Sequence, residues 1–112
     1  MRLSADDAIM LPEKLRDYIL SPTHSDGRAK AAYLGLLGYT QADWEQLESD
    51  LRQQILNCEA QPGRPSLYGD KYEIVAPLTG PNGKTAWVRT IWIIIHGETV
   101  PRFVTLIPEK KP

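Results

Sequence analysis

The sequence predicts an α+β domain in which N-terminal helices pack on one face of a small antiparallel β-sheet, a meander. Apolar residues recur at helical spacing through the first half, and beyond about residue 66 they alternate at the period of a strand. The turn tetrapeptide Gly80-Pro81-Asn82-Gly83 joins two of the alternating runs as a hairpin requires. The 112 residues are read as one domain, 1–112, with a helical half at 11–60 and a sheet half at 66–108.

Pro12 suits the first turn of a helix, and Leu11, Leu15, Tyr18 and Ile19 supply its apolar stripe. Ser21-Pro22 ends it, because the residue before a proline is pushed out of the helical region. A second helix is expected from Gly27 or Arg28 to Leu37, with Ala29, Tyr33, Leu36 and Leu37 at helical spacing and Gly38 as its C-cap. Thr40 then opens a third helix, with Asp43 at the capping-box position. Trp44, Leu47, Leu51 and Ile55 form its buried stripe, and Asp43, Glu45, Glu48 and Asp50 its solvated face.

Gln61-Pro62-Gly63-Arg64-Pro65 marks the change from helix to strand. Tyr68 to Leu78 alternates, setting Tyr72, Ile74 and Ala76 against Lys71, Glu73 and Val75. Thr85 to His96 is the longest and most apolar element, so it belongs at the centre of the sheet. Gly97-Glu98-Thr99 turns the chain into a last strand from Arg102 to Ile107, making about three strands in all. If Ile94 pairs with Phe103, then Trp92 faces Thr105 and Thr90 faces Ile107 on one mixed face. The opposite face then carries Ile91, Ile93, Val104 and Leu106, an aliphatic surface for the helices. Arg89 falls on that aliphatic side, at the edge of the helix layer or re-aimed by a bulge.

The composition excludes several classes. Hydrophobic residues are 42% of the chain, too many for a wholly disordered one. With 13 basic and 14 acidic side chains the net charge is −1, so a nucleic-acid site has to be a local patch. A lone Cys58 gives no disulfide framework, and two histidines without clustered acidic partners give no metal site. Met1 to Met10 lacks the apolar core of a signal peptide, and Ile91 to Ile95 is too short to span a bilayer. A cytoplasmic protein with no membrane partner is expected, with excision from a larger exported chain as the other origin.

Chemistry concentrates in Thr23-His24-Ser25-Asp26-Gly27-Arg28-Ala29-Lys30. Here a histidine, which can titrate near neutral pH, sits where a helix begins and free N–H groups favour anions. Lys30, Arg28 and Arg102 form a local basic set, and Trp92 offers a stacking surface. Thr90, Trp92 and Thr105 lie adjacent on the mixed strand face; that face is either half-exposed, its threonines chosen for strand propensity, or part of a site. The same loop reads equally as a polar connector with a solvated histidine.

The order of Lys14-Leu15, Tyr18 to His24, Gly27, Lys30-Ala31 and Leu37-Gly38-Tyr39 resembles a bacterial domain family, and the second half does too. Gly69-Asp70-Lys71-Tyr72, Leu78 to Gly83, Val88 to Trp92 and Pro101 to Thr105 carry that part of the resemblance. Domains of this look occur alone beside a small partner gene and at the C-termini of polymorphic toxins. The toxin versions resemble the barnase, EndoU, colicin and RelE superfamily of metal-independent ribonucleases. The resemblance implies a site of His24, Lys30, Thr90 and Thr105 with Trp92, no cofactor, RNA (tRNA among the candidates) as substrate, and a cognate antitoxin or immunity protein as partner. It would make His24 the base for the 2′-hydroxyl, and Lys30 and the threonine hydroxyls the donors to the phosphate. An endoribonuclease toxin is the leading expectation. The alternative is a non-catalytic interaction module, or an immunity or phage-related component, on the same fold.

Overall fold

The computed structural model describes all 112 residues. Helix α1, Pro12–Lys14, runs directly into a wide π-type turn, Leu15–Ile19, closed by Leu20 N–H donating to the Leu15 carbonyl. Pro12 stands at its start, and the helix stops before Ser21-Pro22. Helix α2 spans Arg28–Gly35, two residues shorter than its apolar spacing predicts. Gly38, with φ 95°, makes the left-handed turn that only glycine adopts without strain. A 3₁₀ turn, Gln41–Asp43, leads into α3, Trp44–Asp50, which continues as a second wide turn, Leu51–Ile55. The capping box forms as expected: Thr40 N–H and hydroxyl donate to the Asp43 carboxylate at 2.7 and 2.9 Å. No helix is long and apolar enough to cross a membrane.

Four strands follow, one more than predicted: β1, Gln61–Pro65; β2, Gly69–Thr79; β3, Thr85–Ile95; and β4, Arg102–Pro108. They form one antiparallel sheet in the order β1-β2-β3-β4, the meander that the turn signals imply. The segment read as a break, Gln61 to Pro65, is an edge strand with an irregular step between Pro62 and Pro65. An edge tolerates proline because one side of the strand donates to nothing.

The helices cover the sheet face opposite to the aliphatic one the sequence suggests. Ile74, Ala76, Leu78, Val88, Thr90, Trp92, Phe103 and Leu106 are buried against Leu15, Ile19, Leu34, Leu47, Leu51 and Ile55. Two physical causes combine. A bulge between β3 and β4 pairs Trp92 with Phe103 but Ile91 with Thr105, so Leu106 turns inward and Thr105 leaves the Trp92 face. Moreover, the polar groups of the inner face satisfy one another. Trp92 Nε1 donates to Thr90 Oγ1 at 2.8 Å, and Thr90 Oγ1 donates to the Ile74 carbonyl at 3.3 Å. The other face holds Arg89, ion-paired to Glu73 and Glu109, which keeps it toward water.

Candidate active site

Tyr18 reads in the sequence as part of an apolar stripe, yet the structure places its hydroxyl at the centre of a polar cluster. The wide turn of α1 leaves this side chain half-buried between α2 and the β4 edge. Lys30 Nζ donates to Tyr18 Oη at 2.6 Å and to Thr105 Oγ1 at 2.7 Å, and the two hydroxyls share a hydrogen bond of 3.0 Å. Three elements far apart in sequence thus meet at one ammonium group: α1, α2 and β4. The Lys30 Nζ also lies 4.8 Å from the centre of the Tyr18 ring.

His24 completes the cluster from the loop between α1 and α2. Its ring lies 4.9 Å from that of Tyr18, tilted by 57°. Its Nδ1 accepts the backbone N–H groups of Asp26 and Gly27, each at 3.0 Å. A nitrogen that accepts twice carries no proton, so the ring's N–H is at Nε2. The resemblance casts His24 as the base; in this loop its Nδ1 is taken up by two backbone N–H groups and its N–H is at Nε2. The loop also comes close to α1 because residue 27 is glycine: any Cβ there would overlap the Tyr18 carbonyl.

Tyr18, His24 and Thr105 line an open cleft of about 510 Å³ together with Val104, Lys14, Glu13, Asp17 and Asp26, and Lys30 is joined to it through its bonds to Tyr18 and Thr105. Burial pushes the Tyr18 phenol up, but the hydrogen bonds from Lys30 and Thr105, with the Lys30 charge, outweigh it and leave it below its ordinary value. A half-buried phenol beside an ammonium, with two further donors at hand, can hold an anion and exchange a proton.

Of the residues singled out in the sequence, His24, Lys30 and Thr105 come together here. Thr90 and Trp92 do not: both are 0% exposed in the core, where they bond to each other, so neither surface is open to a ligand. Arg28 is exposed, two residues from Lys30 and so on another side of α2, beside a separate groove with Leu20 and Tyr39. Arg102 lies near the start of β4, paired with Glu98 at 3.2 Å, and does not line the cleft. Tyr18 is the residue that sequence reasoning missed. Its one available signal is that a tyrosine on a packed stripe needs a partner for its hydroxyl.

The fold is shared with a solved structure, the contact-dependent growth inhibition toxin–immunity protein complex from Klebsiella pneumoniae 342. The similarity has a TM-score of 0.66 and 18% identity, and covers 90% of this chain and 99% of that one. No curated protein matches the sequence significantly. Residues 2–110 match the model of a domain of unknown function, DUF6883, and the chain belongs to that family.

Proposed function

We propose that this protein is a toxin-like endoribonuclease that cleaves RNA by attack of a ribose 2′-hydroxyl on the adjacent phosphate. The observation that carries the reading is a cleft lined by Tyr18, Thr105 and His24, with the Lys30 ammonium bonded to the first two. Lys30 supplies a fixed positive charge for the phosphate oxygens, His24 Nε2 supplies a neutral donor, and the Thr105 hydroxyl holds Tyr18 Oη. Donors already held by the fold stabilise the charge that develops on phosphorus without first having to reorganise. The structural likeness to a toxin–immunity complex supports a toxin-system setting and a cognate partner protein.

A second reading follows from the same neighbour, which contains an immunity protein as well as a toxin. In that reading the chain is a non-catalytic partner-binding component. Glu13, Asp17 and Asp26 around the cleft favour it, because carboxylates repel phosphate and attract a basic partner surface.

Controlled expression in a bacterial host separates the two. The ribonuclease reading expects growth arrest with loss of intact RNA, and expects His24→Ala and Lys30→Met to relieve both. Harmless expression of the wild type with intact RNA, together with capture of one partner equally by wild type and His24→Ala, establishes the second reading instead.

A further inference from the structure

We infer that Tyr18 is a catalytic residue, and that Tyr18 and Lys30 form a proton relay in which the phenolate oxygen takes the proton of the attacking 2′-hydroxyl. The inference rests on the ribonuclease reading above and names the proton carriers it leaves open. It starts from an exclusion: with Nδ1 accepting two backbone N–H bonds, the neutral His24 ring has no free lone pair to serve as a base. At the centre of the cluster stands a pair that can exchange protons with each other, Tyr18 and Lys30, joined at 2.6 Å, while the carboxylates of Glu13, Asp17 and Asp26 stand elsewhere on the cleft lining.

The step balances. The 2′-oxygen gives its proton to the Tyr18 phenolate and forms a bond to phosphorus. The bond from phosphorus to the 5′-oxygen breaks, and that oxygen takes a proton from the Lys30 ammonium. The products are a 2′,3′-cyclic phosphate and a 5′-hydroxyl. Tyr18 Oη–H then returns its proton to the neutral Lys30 amine along their existing hydrogen bond, restoring phenolate and ammonium. No oxidant, metal or further co-reactant enters.

The surroundings ease ionisation of the Tyr18 phenol. Lys30 and Thr105 both reach Tyr18 Oη, from α2 and β4, and Lys14 lies 6.0 Å from its ring on its own helix. His24 faces the ring from the loop. Asp26 opposes ionisation of the phenol, while Glu13 and Asp17 add negative charge at the cleft mouth. The Lys30 contact outweighs Asp26, and the phenol sits below its ordinary value.

Two substrates test the relay. One is a single-stranded RNA oligomer; the other is uridine 3′-(p-nitrophenyl phosphate), whose leaving group needs no proton. Tyr18→Phe, with a far-ultraviolet spectrum and melting curve like those of the wild type, is expected to slow both reactions by about 100-fold or more. Lys30→Met is expected to slow RNA cleavage more than nitrophenol release, and to move tyrosine ionisation, read by ultraviolet absorbance, to higher pH. Wild-type cleavage that Tyr18→Phe retains within about threefold overturns the relay and leaves the ribonuclease reading standing. A wild type that cleaves neither substrate overturns both.

Discussion

Trp92 donates its indole N–H to the Thr90 hydroxyl at 2.8 Å, within a core that neither side chain leaves. The bond accounts for a feature that misleads in the sequence. A Thr-x-Trp pair on a strand resembles a binding face because a hydroxyl and an indole both need partners, but here each is the other's partner. Thr90→Val keeps the shape and strands the indole N–H. The expected cost is about 1–3 kcal/mol of stability, measured by urea denaturation, with cleavage per folded molecule unchanged. Loss of cleavage at full stability would instead return Thr90 to the site.

Gly27 fixes the distance between the His24 loop and the helix that carries Tyr18. A Cβ at residue 27 overlaps the Tyr18 carbonyl, so Gly27→Ala must push the loop outward. Destabilisation of about 1–3 kcal/mol is expected, with reduced cleavage, because His24 and Tyr18 separate. Gly35 is the contrast: it ends α2 with nothing within 4 Å of an added Cβ. Gly35→Ala is expected to raise stability by about 0.4–1 kcal/mol, read as a higher denaturation midpoint, and to leave cleavage unaltered.

The fold was legible where local chemistry decides it. Pro12 at a helix start and Thr40 with Asp43 at another act within four residues and stand as read, whereas Gly38 makes its left-handed turn two residues beyond the C-cap, which is Leu36. The face of the sheet was not legible. For β4 it depends on the bulge beside Ile91 and Trp92, a shift of pairing with no signature of its own in the alternation, and for β3 on the Trp92–Thr90–Ile74 hydrogen bonds that satisfy a polar-looking face internally. β1 was hidden by its own prolines, which read as a break although an edge position accommodates them. At the site, His24 and Lys30 were visible from their place at a helix start. Tyr18 was not, because its partners stand 12 and 87 residues away and only folding brings them to its hydroxyl.

Tyr39 makes a pH prediction on the alkaline side. Burial pushes its phenol well above the ordinary value, and the hydrogen bond to Asp50 Oδ2 at 2.5 Å pushes it the same way. The folded state therefore holds this proton more tightly than the unfolded chain, whose tyrosines ionise near pH 10. The stabilisation is fully present below that pH and declines as pH rises beyond it. Tyr39→Phe is expected to be less stable at neutral pH by about 1–3 kcal/mol, because Asp50 loses a donor in a buried position. Denaturation midpoints from pH 7 to 11 should fall less steeply in the variant than in the wild type.

Asp43 makes the opposite prediction in acid. The Thr40 backbone N–H, and then the Thr40 hydroxyl, hold its carboxyl below the usual carboxylate range. Its contribution is present above about pH 4 and is lost as pH falls through the lowered value. Asp43→Asn is expected to flatten the acid limb of the stability profile, as measured by thermal melts between pH 2 and 6. An unchanged acid limb would show that the capping box contributes nothing there.

The central claim is that the Lys30–Tyr18–Thr105–His24 cleft cleaves RNA. Its most direct test is analysis of RNA ends after incubating the purified protein with total bacterial RNA in excess EDTA. The account predicts new 5′-hydroxyl and 2′,3′-cyclic phosphate ends with the wild type, and their absence with Lys30→Met folded to the same melting temperature. Intact RNA after incubation with an equimolar amount of folded wild-type protein would contradict it.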